Sequence, residues 1–415
     1  LGASHHEKGV INKAISYYQK ALKLKPNYPD ALNNLGLVIR EKGNLDEAIS
    51  YFQKALKLKP NYPDALNNLG ICFKAKCHLN KAISYFEEAV KLKPNCPEFR
   101  IELSMSLLLH GDYRSGWEHY DWRWKLKSSP TQHDHPKTKQ WLGEDLNKID
   151  NLIIVSEQGL GDTIQFMRYI PYLRKQNQNI SFYPQTKLHS LIKASGIDNN
   201  PLTPSLANSV TEGTWIPLLS IPKLLNVRRN HPIVSDPYIS VPSELINKWK
   251  QLLKNERNPI VGINWQGNPN PEKGDLKGRS LPLEVFSEIS MNDNLKLLSL
   301  QKGFGSDQIK HCSFQEKFVS IQETINTIWD FLDTAAIIMN CDLIITSDTS
   351  IAHLAGGLGV ETWVLLSFIP EWRWGMYSDK TFWYPTMRLF RQEEKDNWKQ
   401  VMEKVSIELK QKFNK

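Results

Sequence analysis

The chain has 415 residues, and at about 150 residues per domain two or three domains are expected, not one core. Its 40% apolar and 23% charged residues, with 22 Gly and 23 Pro, exclude disordered, collagenous and low-complexity classes. The excess of 52 Lys and Arg over 44 Asp and Glu, a formal +8, favours partners carrying phosphate or carboxylate, mildly and through steering.

The first third is periodic. Tyr28 to Gly36 (YPDALNNLG) recurs letter for letter at Tyr62 to Gly70, a shift of 34 residues. The same shift relates Ala14, Ala48 and Ala82, then Tyr17, Tyr51 and Tyr85, then Pro26, Pro60 and Pro94. It also relates Gly9, Gly43 and Gly111, with Cys77 between them. This period predicts two short helices per unit. Leu32, Leu35 and Ile39 share one helical face, Ala48, Phe52 and Ala55 another, and the small Gly36 and Ala48 let the two helices approach. Pro60 ends the second helix.

This pattern resembles the tetratricopeptide repeat at Leu35, Gly36, Ala48, Phe52, Ala55 and Pro60, and again at Leu69, Gly70, Ala82, Phe86, Ala89 and Pro94. Leu1 and Gly2 fall one period before Leu35 and Gly36, which predicts a solenoid truncated inside a repeat, with further units upstream. Pro97 to Trp124 keeps Gly111, replaces Ala with Gly116 and ends in YDWRW, and is expected to be a capping repeat whose aromatics dock on something larger. The resemblance implies a peptide groove. Asn34 and Asn68 stand where the related arrays of protein O-linked N-acetylglucosamine transferases carry asparagines, whose amides hold an extended backbone whatever its sequence. The alternative is a polar helix face in water, and Glu102 at the third equivalent position makes any ladder short.

Residues 128–150 lack periodicity and read as a linker with Trp141 as an anchor. Beyond it, β-branched runs occur at Leu152 to Ser156, Ile180 to Tyr183, Trp215 to Leu218, Ile260 to Trp265, Leu295 to Leu300, Phe318 to Ile321, Leu343 to Thr346 and Trp363 to Leu366, with helical stretches between several. Such alternation predicts parallel, doubly wound sheets. The Pro-rich segment Asn230 to Pro242 falls midway, so two sheets are expected, in domains 151–242 and 243–415. An amphipathic helix from Glu393 to Phe413 is expected to return to the first sheet.

The first strand runs into SEQGLGDTIQF, placing Gly159 and Gly161 in a strand-to-helix turn, where ligands bind in open α/β sheets. Asp162 sits near the helix start, where the dipole stabilises a carboxylate; a simple cap is the competing reading. Further on, Asp348, Thr349 and Ser350 follow a strand, with His353 one helical turn along, the layout of a phosphate-binding helix start. A capped helix with a packed histidine is its alternative. In GINWQGNPNPEKGDLKGRSLPLE, Trp265 and Gln266 accompany Arg279 and Ser280, and planar Arg279 is the best phosphate ligand, while Lys273 and Lys277 read as solvated loop charge. Gln301 and Lys302 close a further strand at the edge where a nucleotide would lie.

The series QGLGDTIQF, NWQGN with GRSLPL, LSLQKG, and SDTSIAHLAGGLGVETWVLL with the following PEWRW and WYPTMRLFRQ resembles the heptosyltransferase-like glycosyltransferases of GT-B fold. More narrowly it is similar to bacterial proteins that fuse tetratricopeptide repeats to that domain, often described as O-linked N-acetylglucosamine transferase-like. The resemblance implies an all-α solenoid followed by two Rossmann-like α/β domains that bind a nucleotide sugar between them. It implies neither an essential metal nor a cofactor. Asp162 matches the aspartate proposed as general base for the acceptor hydroxyl. Asp348, Thr349, Ser350 and His353 match the nucleotide-diphosphate segment, and Arg279 with Ser280 matches the basic loop that neutralises the leaving diphosphate, expected to be the larger catalytic effect. Family members often carry Gly where Ser350 stands.

The expected function is therefore metal-independent glycosyl transfer from a nucleotide-sugar donor to a protein or glycan hydroxyl, with the repeats recruiting the acceptor. The competing class is a non-catalytic scaffold whose α/β region only binds nucleotide or a partner. A nucleic-acid partner is not expected, because the LKLKPN lysines end helices and complement their dipoles. No window of about 18 apolar residues occurs, so no membrane span is expected. Cys72, Cys77, Cys96, Cys312 and Cys341 lack CxxC spacing, which fits a reducing compartment, with the cytoplasm as default. The chain starts at Leu1, so an upstream export signal stays open.

Overall fold

The computed structural model describes residues 1–126, 136–177, 179–270, 272 and 278–413. It divides into two compact units, Leu1–Ser129 and Pro130–Lys415. Lys273 and Lys277 lie outside the described residues.

In the first unit the described residues form hairpins in which α1 (Gly2–Glu7) pairs with α2 (Ile11–Leu24), α3 (Pro29–Glu41) with α4 (Leu45–Leu58), α5 (Pro63–Ala75) with α6 (Leu79–Leu92), and α7 (Pro97–His110) with α8 (Tyr113–Tyr120). Pro29, Pro63 and Pro97 each begin a helix, where a fixed φ is preorganised and the missing N–H is no loss. Gly9, Gly43 and Gly111 adopt positive φ between helices; Cys77, the fourth equivalent, does so at +59° despite its side chain. Within the helices glycine serves packing. A Cβ on Gly36 would lie 2.8 Å from the Phe52 ring, and one on Gly70 only 2.5 Å from the fully buried Phe86 ring.

Polar pairs repeat with the same 34-residue shift and fix the register of successive hairpins. Arg40 donates to Asn68 at 3.0 Å, and Lys74 pairs with Glu102 in the equivalent place. Lys42 donates to Asn12, and Lys76 pairs with Asp46 likewise. At the end of the unit Trp117 is buried edge-on against Tyr120, and the Arg100 guanidinium lies 4.3 Å from the Trp122 ring centroid.

The second unit holds two parallel sheets. β1 (Lys139–Gln140), β2 (Leu152–Val155), β3 (Ile180–Tyr183) and β4 (Thr214–Pro217) run in the order β1-β4-β2-β3. β5 (Ile260–Asn264), β6 (Lys296–Ser299), β7 (Leu343–Ser347), β8 (Thr362–Leu366) and β9 (Met387–Arg391) run in the order β6-β5-β7-β8-β9. Every residue of β2, β5, β7 and β8 is buried, as in parallel strands covered on both faces. Trp141 is pinned: its backbone N–H donates to the Trp215 carbonyl and its indole N–H to the Glu144 carbonyl.

Two expectations are corrected. Phe318 to Ile321 is no strand; Phe318 makes one isolated parallel bridge to Leu297, after which Glu256 accepts from Ser320 and turns the chain. The final helix, Trp398–Phe413, packs on the second sheet's layer and not the first, because Trp398, Val401, Met402, Val405 and Leu409 share one core with Val261, Ile263 and Phe390. Edge strand β9 was missed by the hydrophobic reading, since Arg388 and Arg391 interrupt its apolar run.

Candidate active site

In the second sheet the strand order reverses between β5 and β7, the switch point at whose carboxyl end doubly wound sheets hold ligands. Asp348 and Thr349 leave β7 there, and the Thr349 hydroxyl donates to Asn264 Oδ1 at the end of β5, 2.8 Å away. Thr349 precedes the Ser350–Leu358 helix, so its N-terminus opens at the switch.

The first sheet sends the Leu160–Phe166 helix to meet it. Gln158 in the preceding turn has φ of +60°, a conformation uncommon for a residue with a side chain. Gly161 is the contact point: a Cβ there would lie 3.0 Å from His353 Cδ2 and 3.3 Å from Ser350 Cα. The glycine therefore serves close approach of the two helices. The neighbouring Gly159 starts the helix, and its N–H donates to Asp162 Oδ2 at 2.9 Å. The cap reading of Asp162 thus accounts for one of its oxygens.

The other oxygen, Oδ1, accepts from Arg373 Nη2 at 2.5 Å. Arg373 is buried and is the centre of the site. It also donates through Nη1 to Glu371 and through Nε to Gln165, while its guanidinium lies over the Trp372 and Phe166 rings. One cation from the second sheet's side thus ties a carboxylate and an amide from the first. Glu371 also accepts from the Arg373 backbone N–H, capping the turn at Trp372–Trp374. Burial pushes the Glu371 carboxyl up to about 8; Arg373 opposes the rise, and nearby Asp348 and Asp162 add to it. Burial also raises the Asp348 carboxyl, against the pull of Arg279 and Arg373. Asp348, Glu371, Asp162 and Arg373 are therefore within electrostatic reach of one another where the two helix starts meet, with Arg279 acting on Asp348.

Several expected residues have other roles. His353 is buried, stacks on Trp374 at 5.5 Å and shares a 2.9 Å hydrogen bond between Nδ1 and the Tyr384 hydroxyl. Burial, with Arg373 and Arg168 nearby, pushes its pKa well below the usual value, so the neutral ring offers an anion no charge. Trp265 is wholly buried in the core and presents no stacking face. The Gln301 carbonyl accepts from Asn264, Trp265 and Gln266, and its amide donates to Gln266 and Phe304, leaving it a clamp on the β5 turn. Gln266 is held by Gln301 and by Gln308. Lys302 donates to the Ile325 carbonyl, and burial lowers its pKa to about 8. Arg279 pairs with Glu272 at 3.1 Å, and Ser280 joins Glu272 to the Gly267 N–H. In the repeats, Asn68 is buried between Arg40 and Asn33, and Asn33 donates to Asn34, so Asn68 is tied into the register and is not an open groove amide.

Sequence reasoning thus brought Gly161, Asp162, Asp348, Thr349, Ser350 and Arg279 to one crevice and missed Arg373, Glu371 and Gln165. The available signal was a Glu-x-Arg pair inside the tryptophan-rich PEWRWG, since charges placed among buried rings must find partners. A hollow of roughly 600 Å³ lies elsewhere, lined by Glu361, Trp363, Arg388, Glu408 and Lys412, and includes none of these residues. Among the described residues no group of His, Cys, Asp or Glu is arranged to hold a metal ion, and no helix is long and apolar enough to cross a membrane.

The fold defines tetratricopeptide-like helical repeats followed by an α/β region of parallel sheets. Residues 27–95 match the tetratricopeptide repeat family, and residues 2–40 match a second family of TPR repeats. Protein FlbA of Caulobacter vibrioides is 25% identical over 338 residues, which cover 73% of this chain and 53% of FlbA. The chain spans about half the length of that curated relative, and the match is too long to be confined to Leu1–Ser129. Among solved structures, MamA from Desulfovibrio magneticus is 23% identical with a TM-score of 0.28, over 32% of this chain and 74% of that one. YrrB, described as a TPR protein with an unusual peptide-binding site, is 25% identical with a TM-score of 0.27, over 29% of this chain and 62% of that one.

Proposed function

We propose that the second unit is a GT-B-type glycosyltransferase domain, its two sheets forming the two nucleotide-type lobes, and that the repeats recruit a protein or glycan acceptor. The observation that carries this reading is the meeting of the two strand-to-helix turns at Gly161, which sets Asp162 in one crevice with Arg373 and within electrostatic reach of Asp348. A diphosphate at the β5–β7 switch would meet the helix dipole, Arg279 and Arg373, where charge develops on the leaving group. Asp162, released from Arg373, would take the acceptor proton. The resemblance of the motif series to heptosyltransferase-like enzymes supports the same reading, and the nucleotide base and sugar are left open.

The test is a panel of nucleotide sugars incubated with the full chain, alone and with cell extract, read as nucleoside diphosphate release. Turnover with at least one donor, lost in Asp162→Asn while nucleotide still binds, is expected. Release from no donor under either condition would sink the proposal. The scaffold reading is favoured by one specific feature: in the free structure Asp162 is ion-paired with Arg373, which occupies its Oδ1.

A further inference from the structure

Each cation of the crevice is already held by a carboxylate of the protein. Arg279 pairs with Glu272, and Arg373 bridges Asp162 and Glu371. Arg373 has little room to act elsewhere while that bridge stands: Nε, Nη1 and Nη2 are committed to Gln165, Glu371 and Asp162 in turn. Of these partners only Asp162 belongs to the turn where acceptor chemistry is placed, and its side chain is partly open, at 20%. The opposite neighbour, Asp348, sits at the switch point and feels both arginines.

From this we infer that Arg373 is a ligand-exchanged latch: in the free protein it holds Asp162 inactive, and an anionic diphosphate entering at the β5–β7 switch takes over the guanidinium and frees Asp162. The inference rests on the nucleotide-binding reading above and adds an order of events to it. An arginine fork suits both partners, since carboxylate and phosphate oxygens accept the same pair of N–H groups. Breaking the bridge is a prior step in ligand binding, so the free-state pair lowers apparent affinity by the fraction of molecules in which it is closed. Removing the carboxylate charge removes that competition.

The consequence runs against ordinary expectation for a residue lining a binding crevice: Asp162→Asn tightens diphosphate binding. The replacement keeps an oxygen to accept from the Gly159 N–H, so the turn is retained. Titration calorimetry of the full chain with UDP, GDP, ADP and inorganic pyrophosphate at fixed ionic strength is the measurement. About tenfold tighter binding in Asp162→Asn is expected, with at least tenfold weaker binding in Arg373→Gln and partial recovery in Arg373→Lys. In the double variant Asp162→Asn/Arg373→Gln the gain from Asp162→Asn is expected to vanish, because the two act through one contact. If the wild type binds a probe and Asp162→Asn binds equally or less well, the latch is overturned and the nucleotide reading stands. If the wild type binds none of the four probes, both fall. Thermal melting of each variant identifies loss of fold, and should Arg373→Gln not fold, Arg373→Lys replaces it in the double variant, since loss of the Asp162 charge alone would also tighten anion binding.

Discussion

The two units assemble their key contacts in opposite ways. In the repeats the contacts described fall within one hairpin, as Gly36 with Phe52, or between neighbouring hairpins, as Arg40 with Asn68 and Lys74 with Glu102. In the α/β unit Asp162, Arg279, Asp348 and Arg373 come from separate strand-end segments, and Asp162 meets Arg373 across 211 positions. Regular helical packing lets one solution be copied along a chain. Chemistry at strand ends requires several independent segments to arrive together, as at the buried Arg373 and its acids.

The sharpest way to break this contrast is to remove the central cation. Arg373→Met leaves Asp162 and Glu371 crowded without their shared partner, and a loss on the order of 3 kcal/mol is expected in urea unfolding. The triple variant Arg373→Met/Asp162→Asn/Glu371→Gln should recover most of that loss. Hydrogen exchange should show the damage in the second unit, with helices α3 to α6 retaining wild-type protection.

The reciprocal perturbation belongs to the repeats. Ala is normally favoured over Gly inside a helix, yet Gly70→Ala pushes a methyl into the Phe86 ring, which is fully buried and has nowhere to yield. Destabilisation of about 1–3 kcal/mol is expected, localised by exchange to α5 and α6. Binding of nucleoside diphosphates should be unaffected.

Titration separates the units more gently. The folded pKa of Glu371 lies near 8, above its unfolded value, so the native state holds a proton that the unfolded chain has lost. Its contribution is complete at low pH and disappears as pH rises through about 8. The depressed His353 acts in the reverse sense, its contribution being lost as pH falls below its ordinary value near 6.5. Between about pH 6.5 and 8 stability should therefore decline, Glu371 contributing at most about 1.4 kcal/mol per unit and the raised Asp348 carboxyl acting in the same direction, and Glu371→Gln should reduce the slope. A wild-type profile that stays flat there would refute the assignment.

The smallest effect is expected at Cys77, the one turn position of its series with a side chain at positive φ. Cys77→Gly should stabilise the repeats by about 0.5–1 kcal/mol, visible as a small rise in urea midpoint.

How much could be read beforehand follows the same division. The hairpins, their glycines and their prolines were legible because period fixes position. Seven strands were legible from apolar runs, and the meeting of Asp162 with the Asp348 segment was expected from the resemblance of the motif series. Arg373 and Glu371 were not, because nothing local distinguishes a buried ionic bridge from a charged loop; only the tryptophans around it hinted at burial. Gln301 and Trp265 misled for a related reason. A polar or aromatic residue at a strand end serves the backbone as readily as a ligand, and only the geometry of its hydrogen bonds separates the two.

The copied register pairs also bear on how such an array changes length. Residues 29–62 and 63–96 present matching upstream and downstream faces, down to the Arg40–Asn68 and Lys74–Glu102 contacts. Duplication or loss of one whole unit would rejoin compatible surfaces, whereas an indel of any other size would misalign each later rung. Reach of the solenoid can therefore be lengthened or trimmed in whole steps by unequal recombination, while the crevice far along the chain keeps its chemistry untouched.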